Sequence, residues 1–372
     1  MQAALVGSTA TVTLDDTKAK DLLAKDTTIV IPEVANAKSY AVNLPTSSLS
    51  GGNGDGTLAI STKLGKITIP DNMLKGISGV TGKDTGVSIG QGSKDNLPAE
   101  VKATLGDRPI IQLSLSVDGK LTEWNNPSAP VSLSIPYKPT VDELKNIDNI
   151  VVRCIDGKGK VVTVPNGRYD AKTGTVTFTT TYFSQYAVAF VQKSFSDIEN
   201  SAWAKKSIEA LAAKDILKTT GNTFEPKANI TRADFLYSLV RTLGANATIN
   251  GNFSDISKDA YYYNEIAIAK ALGLTDGMGN NKFEPNASIT RQDMMAMTER
   301  ALKLMKKVNS KGQSSILDRF TDKGSISSYA VNSIATIVSE GLIEGSNSKI
   351  TPKNNTTRAE AAVFLYRIYN KY

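Results

Sequence analysis

The sequence predicts a multidomain protein: an N-terminal all-β sandwich region followed by an all-α region of three helical repeats. Three observations carry this. Residues 1–193 alternate apolar and polar side chains at period two. Near Ser194 the apolar spacing becomes helical. Beyond it a Thr-Arg-x-acid signature recurs as ITRAD (230–234), ITRQD (289–293) and TTRAE (356–360). A chain of 372 residues is long enough for two or more domains, and 40% hydrophobic with 21% charged residues is an ordinary globular balance.

In the first region TLAISTKLGKITIP, RPIIQLSLSVDG, APVSLSIPY, NIVVRCID, KVVTVP, GTVTFTT and YAVAFV each read as strands. Turn-forming stretches separate them, among them SGGNGDG, DGKGK and PNGRYDAKTG. Helical pattern is confined to short pieces, TKAKDLLAK and TVDELKN. The region 1–193 is therefore expected to hold one or two β subdomains. Cys154, the single cysteine, falls in an apolar strand and reads as a small buried hydrophobe.

In the second region AWAKKSIEALAAKDIL puts Ala204, Ile208, Leu211 and Ala212 on one helical face. FLYSLVRTLG does the same with Phe235, Leu236, Leu239 and Leu243. Helix–loop–helix then repeats. Phe-Ser-Asp197, Phe-Ser-Asp255 and Phe-Thr-Asp322 open the units, with FEP (224–226 and 283–285) and ITP (350–352) in mid-unit. From opening aspartate to signature arginine the separations are 35, 36 and 36 residues, a register that marks internal repeats. Successive arginines are 59 and 67 apart, the longer gap carrying the insert KKVNSKGQSSILDR. Met294, Met295, Met297 and Met305 share one helix and read as core filling.

Thr231, Thr290 and Thr357 are expected helix N-caps, with Asp234, Asp293 and Glu360 completing capping boxes, each cap worth on the order of 1 kcal/mol. Arg232, Arg291 and Arg358 then occupy the first helical position, where the helix already presents partial positive charge. A cation there in every unit makes sense where an anion is the intended neighbour, since guanidinium and helix tip then act together. The competing reading pairs each arginine with a carboxylate of its own or an adjacent unit, Asp197, Asp255 and Asp322 being the candidates. Trp203, Tyr261 and Tyr329 follow those aspartates by six, six and seven residues. An aromatic beside charge suits a sugar, whose C–H face packs on the ring; core packing is the alternative.

The chain has no histidine, which excludes Ser-His-Asp catalysis, histidine metal sites and a histidine-activated Cys154. GGNGDG (51–56) and DGMGNN (276–281) lack the spacing of a calcium loop and read as turns. Neither metal nor cofactor is expected. The net charge of +7 is dispersed, without the basic cluster that nucleic acid binding calls for. No run approaches the roughly 18 apolar residues of a membrane span. The start, MQAALVGSTATVTLDD, lacks the basic and apolar segments of a secretion signal, so a mature or truncated piece of an exported protein is expected.

The three units resemble S-layer homology modules. The stretches that carry the likeness are FSDI…AWAKKSIEALAAKDIL…NTFEPKANITRADF, FSDI…YYYNEIAIAKALGLTDGMGNNKFEPNASITRQDM and FTD…YAVNSIATIVSEGLIEGSNSKITP…TTRAEA. The resemblance covers 195–372 and implies a three-fold helical spindle with modules at 194–249, 250–308 and 309–372. It also implies grooves between units that hold secondary cell-wall polysaccharide, typically pyruvylated, outside Gram-positive-type cells. A pyruvyl ketal carries the carboxylate that the arginine argument calls for. Carried over by position, the glycan-binding residues are Asp197, Asp255 and Asp322; Trp203, Tyr261 and Tyr329; and Arg232, Arg291 and Arg358. Gly277 and Gly345 complete the set, with Thr219 at the corresponding place in the first unit.

Residues 57–190 resemble the β-sandwich modules of ankyrins and netrin receptors, through GTLAISTKLGKITIPDNML and PIIQLSLSVDGKLTEWNNPSAPVSLSIPY. Relatives of that sandwich can cleave themselves at His-Phe-Ser. Here Tyr182 stands in place of the histidine before Phe183-Ser, so an ordinary strand is expected. The expected function is thus non-catalytic anchoring in the cell wall or S-layer, with wall polysaccharide as partner and other surface-layer proteins as a second partner class. The rivals are an S-layer lattice subunit and the anchoring fragment of a larger surface glycan hydrolase.

Overall fold

The computed structural model describes residues 2–78, 80–95, 97–156, 159–309 and 312–372. Positions 157–158 of the DGKGK turn and 310–311 of the insert lie outside the described residues. The chain forms two compact units, Met1–Val191 and Gln192–Tyr372.

The first unit is built on two sheets. Neighbours in the larger are Ala4–Val6, Thr9–Thr13, Ser39–Pro45, Asp84–Gln91, Ile110–Val117, Gln185–Phe190, Ile150–Ile155 and Val161–Val164. Lys120–Thr122 pairs with Ile110–Val117 beside this path. The smaller sheet runs Arg168–Asp170, Thr175–Thr180, Val131–Pro136, Gly65–Pro70, Thr57–Thr62, Thr27–Val30. Two pairings are parallel, Thr9–Thr13 with Ser39–Pro45 and Thr27–Val30 with Thr57–Thr62. Both need a crossover: the first carries helix α1 (Asp16–Ala24), and the second passes through Ser39–Pro45 of the larger sheet. The first 45 residues thus feed strands into both sheets, and one apolar cluster reaches from Ala10 to Val188.

Period-two alternation does what the sequence implies: along Ile110–Val117, Leu113, Leu115 and Val117 are buried and the residues between are half-buried. Cys154 is buried, and burial pushes its thiol up. The Ser184 hydroxyl donates to the Ile155 carbonyl at 2.6 Å, just ahead of the strand pairing of Gln185–Phe190 with Ile150–Ile155.

Helices α2 (Ala99–Leu105) and α3 (Val141–Lys145) interrupt the strands. Five residues are too few for an isolated helix. Glu143 fixes α3 instead. Its carboxylate accepts from the Thr140 N–H at 2.8 Å, the Tyr137 hydroxyl at 2.7 Å and Arg108 Nη2 at 2.6 Å. Burial raises the Glu143 pKa, and the hydrogen bonds from Tyr137, Thr140 and Arg108 outweigh it and bring it below the ordinary value.

The second unit contains α4 (Ala202–Ala213) and α5 (Arg232–Leu243), α6 (Tyr263–Ala271) and α7 (Arg291–Leu304), α8 (Val331–Ser339) and α9 (Arg358–Lys371). Each pair belongs to one repeat. The first helix of each repeat packs on the second helix of the repeat before it: α6 on α5, α8 on α7, and α4 on α9 to close the circle. One core is shared by all three repeats. Ala204, Ile208, Leu211, Phe235, Leu236 and Leu239 point into it, as do Met294, Met295 and Met297.

Removing Glu143 strands a guanidinium in the β unit. Glu143→Ala is expected to cost about 3 kcal/mol, measured by denaturant unfolding, the lower end of a broken buried pair because Arg108 keeps some solvent contact. A lowered folded pKa stabilises above the unfolded carboxylate range and is lost as pH falls through the folded value. The gap between wild type and Glu143→Gln should therefore narrow in acid; a gap independent of pH contradicts this account.

Candidate functional site

The three repeats meet just ahead of α5, α7 and α9. The Ile230 N–H donates to the Thr356 carbonyl at 2.9 Å, that of Ile289 to Ile230 at 3.2 Å, and that of Thr356 to Ile289 at 3.0 Å. All three residues are buried, so the triangle is shielded from water.

One residue on, Thr231, Thr290 and Thr357 cap the helices, each accepting from the N–H of the acid at the third helical position. The expected reciprocal box forms only at Thr357, where Glu360 reaches back to the Thr357 N–H at 2.8 Å. Asp234 and Asp293 are one methylene shorter and do not reach the cap N–H; Asp293 accepts from the Thr290 hydroxyl at 2.7 Å instead. The Tyr261 hydroxyl donates to Asp234, and that of Tyr329 to Asp293 at 2.5 Å. Burial and this bond push the Tyr329 phenol up to about 12.

The helix tips are not open donors. The Arg232 N–H donates to Ala287 at 2.8 Å and the Ala233 N–H to Pro285 at 3.1 Å. Arg291 and Gln292 donate in the same way to Asn354 and Pro352, and Arg358 and Ala359 to Ala228 and Pro226. Each tip is therefore plugged by the loop of the next repeat, so the partial positive charge expected beside the arginines is already met by backbone carbonyls.

Each guanidinium crosses the same boundary. Nε of Arg232 donates to the Phe283 carbonyl at 3.1 Å, that of Arg291 to Ile350 at 3.0 Å, and that of Arg358 to Phe224 at 2.8 Å. Arg232 and Arg358 also lie over the rings of Phe283 and Phe224, at 4.9 and 4.7 Å. Their carboxylate neighbours are the capping acids. Arg291 Nη1 is 3.5 Å from Glu360 and Arg358 Nη1 is 3.6 Å from Asp234. Arg232, only 5% exposed, has no carboxylate within 4 Å among the described residues. Burial lowers its pKa, while Asp293, Glu284 and Tyr329 act the other way.

Asp197, Asp255 and Asp322 work inside their own repeats. Asp197 accepts the N–H groups of Phe224 and Glu225 at 2.9 and 2.7 Å, Asp255 those of Phe283 and Glu284 at 2.9 and 2.8 Å, Asp322 those of Ile350 and Thr351 at 3.0 and 2.8 Å. Glu225, Glu284 and Thr351 stand at φ +58°, +59° and +49°, each directly before a proline. The aspartates hold that strained backbone in place. Burial raises the pKa of Asp197 and Asp255, and these backbone bonds bring it below the ordinary value.

Gly277 and Gly345 have φ +77°, and a side chain there would collide with the Phe253 or Phe320 ring. Thr219 keeps a φ outside the left-handed region.

The aromatics are surface residues: Trp203 is 62% exposed, Tyr261 43% and Tyr329 55%. The structure gathers the candidates across repeats rather than within them. Trp203 of the first repeat joins Arg291 of the second with Gly345 and Glu360 of the third around a cavity of about 460 Å³. Tyr261 meets Asp234, which faces Arg358, and Arg358 Nη2 donates to Lys218 just before Thr219 at 3.0 Å. Tyr329 meets Asp293 beside Arg232. Trp203 and Thr219, neighbours in one repeat, thus serve different grooves. The acids at the third helical position were assigned to capping alone; no signal in the sequence marks Asp234, Asp293 and Glu360 as groove residues.

Residues 194–236, 252–295 and 319–362 match the S-layer homology domain, so the helical unit carries three such domains. The chain is 31% identical over 379 residues, 98% of its length, to an amylopullulanase of Thermoanaerobacterium thermosulfurigenes, of which it covers 19%. It is 35% identical over 181 residues, 48% of its length, to the exoglucanase XynX of Acetivibrio thermocellus, of which it covers 16%. It is 31% identical over 183 residues, again 48%, to the S-layer protein sap of Bacillus anthracis, of which it covers 21%. The chain therefore spans about a fifth or less of these relatives. S-layer homology domains are non-catalytic and bind cell-wall polysaccharide, which implies wall anchoring and a cell-surface location. No helix among the described residues is long and apolar enough to cross a membrane.

Asp255→Ala frees two backbone N–H groups and the strained turn at Glu284. Hydrogen bonds to a charged group contribute about 1.5–3 kcal/mol, so a loss of about 2–3 kcal/mol is expected in the helical unit. Thermal unfolding checks it; a change below about 0.5 kcal/mol, the range of ordinary surface substitutions, contradicts the fastening role.

Proposed function

We propose that the protein is a non-catalytic anchor whose three S-layer homology domains hold an anionic, pyruvylated secondary cell-wall polysaccharide in the grooves between repeats. One observation carries the reading: an exposed aromatic, an arginine and a capping acid, drawn from three different repeats, converge at each groove. The ring offers a face to the sugar C–H groups. The arginine uses Nε to hold the neighbouring loop, which fixes the plane of the fork. A ketal carboxylate is the anion that suits such a fork. Asp197, Asp255 and Asp322 position the loop that accepts the arginine.

A second reading, the anchoring portion of a larger surface glycan hydrolase, is favoured by the amylopullulanase match, which runs through both halves of the chain. In both readings these residues anchor; they differ in whether the anchor is joined to a catalytic domain. A third, the lattice subunit, has the match to S-layer proteins in its favour.

Sedimentation with purified wall sacculi tests the anchor. The anchor is expected to pellet with native walls and to lose about tenfold in affinity, about 1.4 kcal/mol, once mild acid has removed the pyruvyl groups. Undiminished binding to depyruvylated walls overturns the anionic assignment, and release of soluble sugar overturns the non-catalytic one.

A further inference from the structure

The three grooves share a plan but not a charge. Four positions correspond across the grooves by sequence register: the signature arginine, the residue before the Phe-Glu-Pro or Ile-Thr-Pro segment, the middle residue of that segment, and the capping acid. Beside Tyr261 these are Arg358, Thr223, Glu225 and Asp234, so carboxylates outnumber cations. The Lys218 ammonium, 5.3 Å from the centre of the Tyr261 ring, brings that groove to balance. Beside Tyr329 they are Arg232, Lys282, Glu284 and Asp293, again balanced. Beside Trp203 they are Arg291, Lys349, Thr351 and Glu360; Glu344 and Arg367 also line the cavity there, three cations against two carboxylates. Lys349 and Thr351 both line the cavity there. Among the described residues no carboxylate lies within 4 Å of the Lys349 ammonium.

Closure differs as well. Tyr261 and Tyr329 bind the capping aspartate across their grooves through the phenol. Trp203 has no hydroxyl to do so, and the 460 Å³ cavity opens beside it. Thr351 is informative in its own right. A β-branched residue at φ +49° is strained, and the two equivalent positions carry glutamate at +58° and +59°. The neutral, strained residue stands in the one groove where a glutamate would cancel the surplus charge.

We infer that the grooves are unequal: the Trp203 groove is the principal receptor for a carboxylated sugar, with Lys349 as a second cationic contact beside Arg291, and the two tyrosine grooves are latched by their Tyr–Asp bonds. This rests on the anchoring reading above. Two carboxylate-directed cations and one open ring face select a saccharide bearing a single acidic substituent near an apolar ring face.

The test is calorimetric titration of the intact chain with the methyl glycoside of an amino sugar carrying a pyruvyl ketal, its depyruvylated parent serving as control. One dominant site is expected for the wild type. Thr351→Glu copies a residue the fold already accepts at that backbone position, and it should weaken binding about tenfold or more with an unchanged melting temperature. Lys349→Glu should do the same. Converting the Tyr261 groove with Tyr261→Trp, Thr223→Lys and Glu225→Thr together should create a second site of similar affinity. Three equal sites in the wild type, or a Thr351→Glu effect under about twofold, overturns the inference while leaving the anchor intact. Failure of the wild type to distinguish the pyruvylated glycoside from its parent overturns the anchoring reading and this inference with it.

Discussion

A closed triangle of backbone hydrogen bonds among Ile230, Ile289 and Thr356 holds the helical unit together, and the surface chemistry depends on it. Each residue donates to one repeat and accepts from another, so no repeat can leave without breaking two bonds. Because the triangle lies one residue ahead of the threonine caps, it brings the starts of α5, α7 and α9 to one place. There the loop of the next repeat satisfies the first two helical N–H groups, donors that a helix start otherwise leaves orphaned. The arginine at the first helical position is tolerable in that setting because its Nε and the helix amides bind carbonyls rather than face one another across solvent.

Composite grooves follow from this closure. A helix start, a capping acid and an aromatic that belong to one repeat in sequence are sent to three separate places, since each repeat leans on a different neighbour at each end. The result is three sites of one design whose side chains vary independently. The repeats at the level of backbone are nearly uniform; at the level of charge they are not.

Much of the fold was legible because its causes are local. Period-two alternation marks strands, period 3.6 marks helices, and both survive in Leu113–Leu115 and in Ala204–Ile208–Leu211 as the buried sets of the structure. The threonine caps were legible for the same reason. Reciprocal boxes were less so. Whether the acid reaches back to the cap N–H or accepts from a tyrosine depends on one methylene and on an aromatic some thirty residues away, which no local pattern contains. The opening aspartates looked like partners for the arginines because both are charged and evenly spaced. Their oxygens are instead taken by backbone N–H groups of their own repeat, a partner that spacing between side chains cannot reveal.

By itself the sequence determined that a β region precedes three helical repeats and which residue types recur in each. Periodicity and register are properties of the chain read in order, and they need no neighbours to be visible. Only the tertiary structure decided that the first 45 residues enter both sheets of one core and that the helix tips are plugged. It alone decided that Trp203 faces Arg291 and Glu360 rather than the residues of its own repeat. In the helical unit those choices are made by ring closure, which joins positions more than a hundred residues apart, such as Phe224 and Arg358, through hydrogen bonds that leave no trace in spacing.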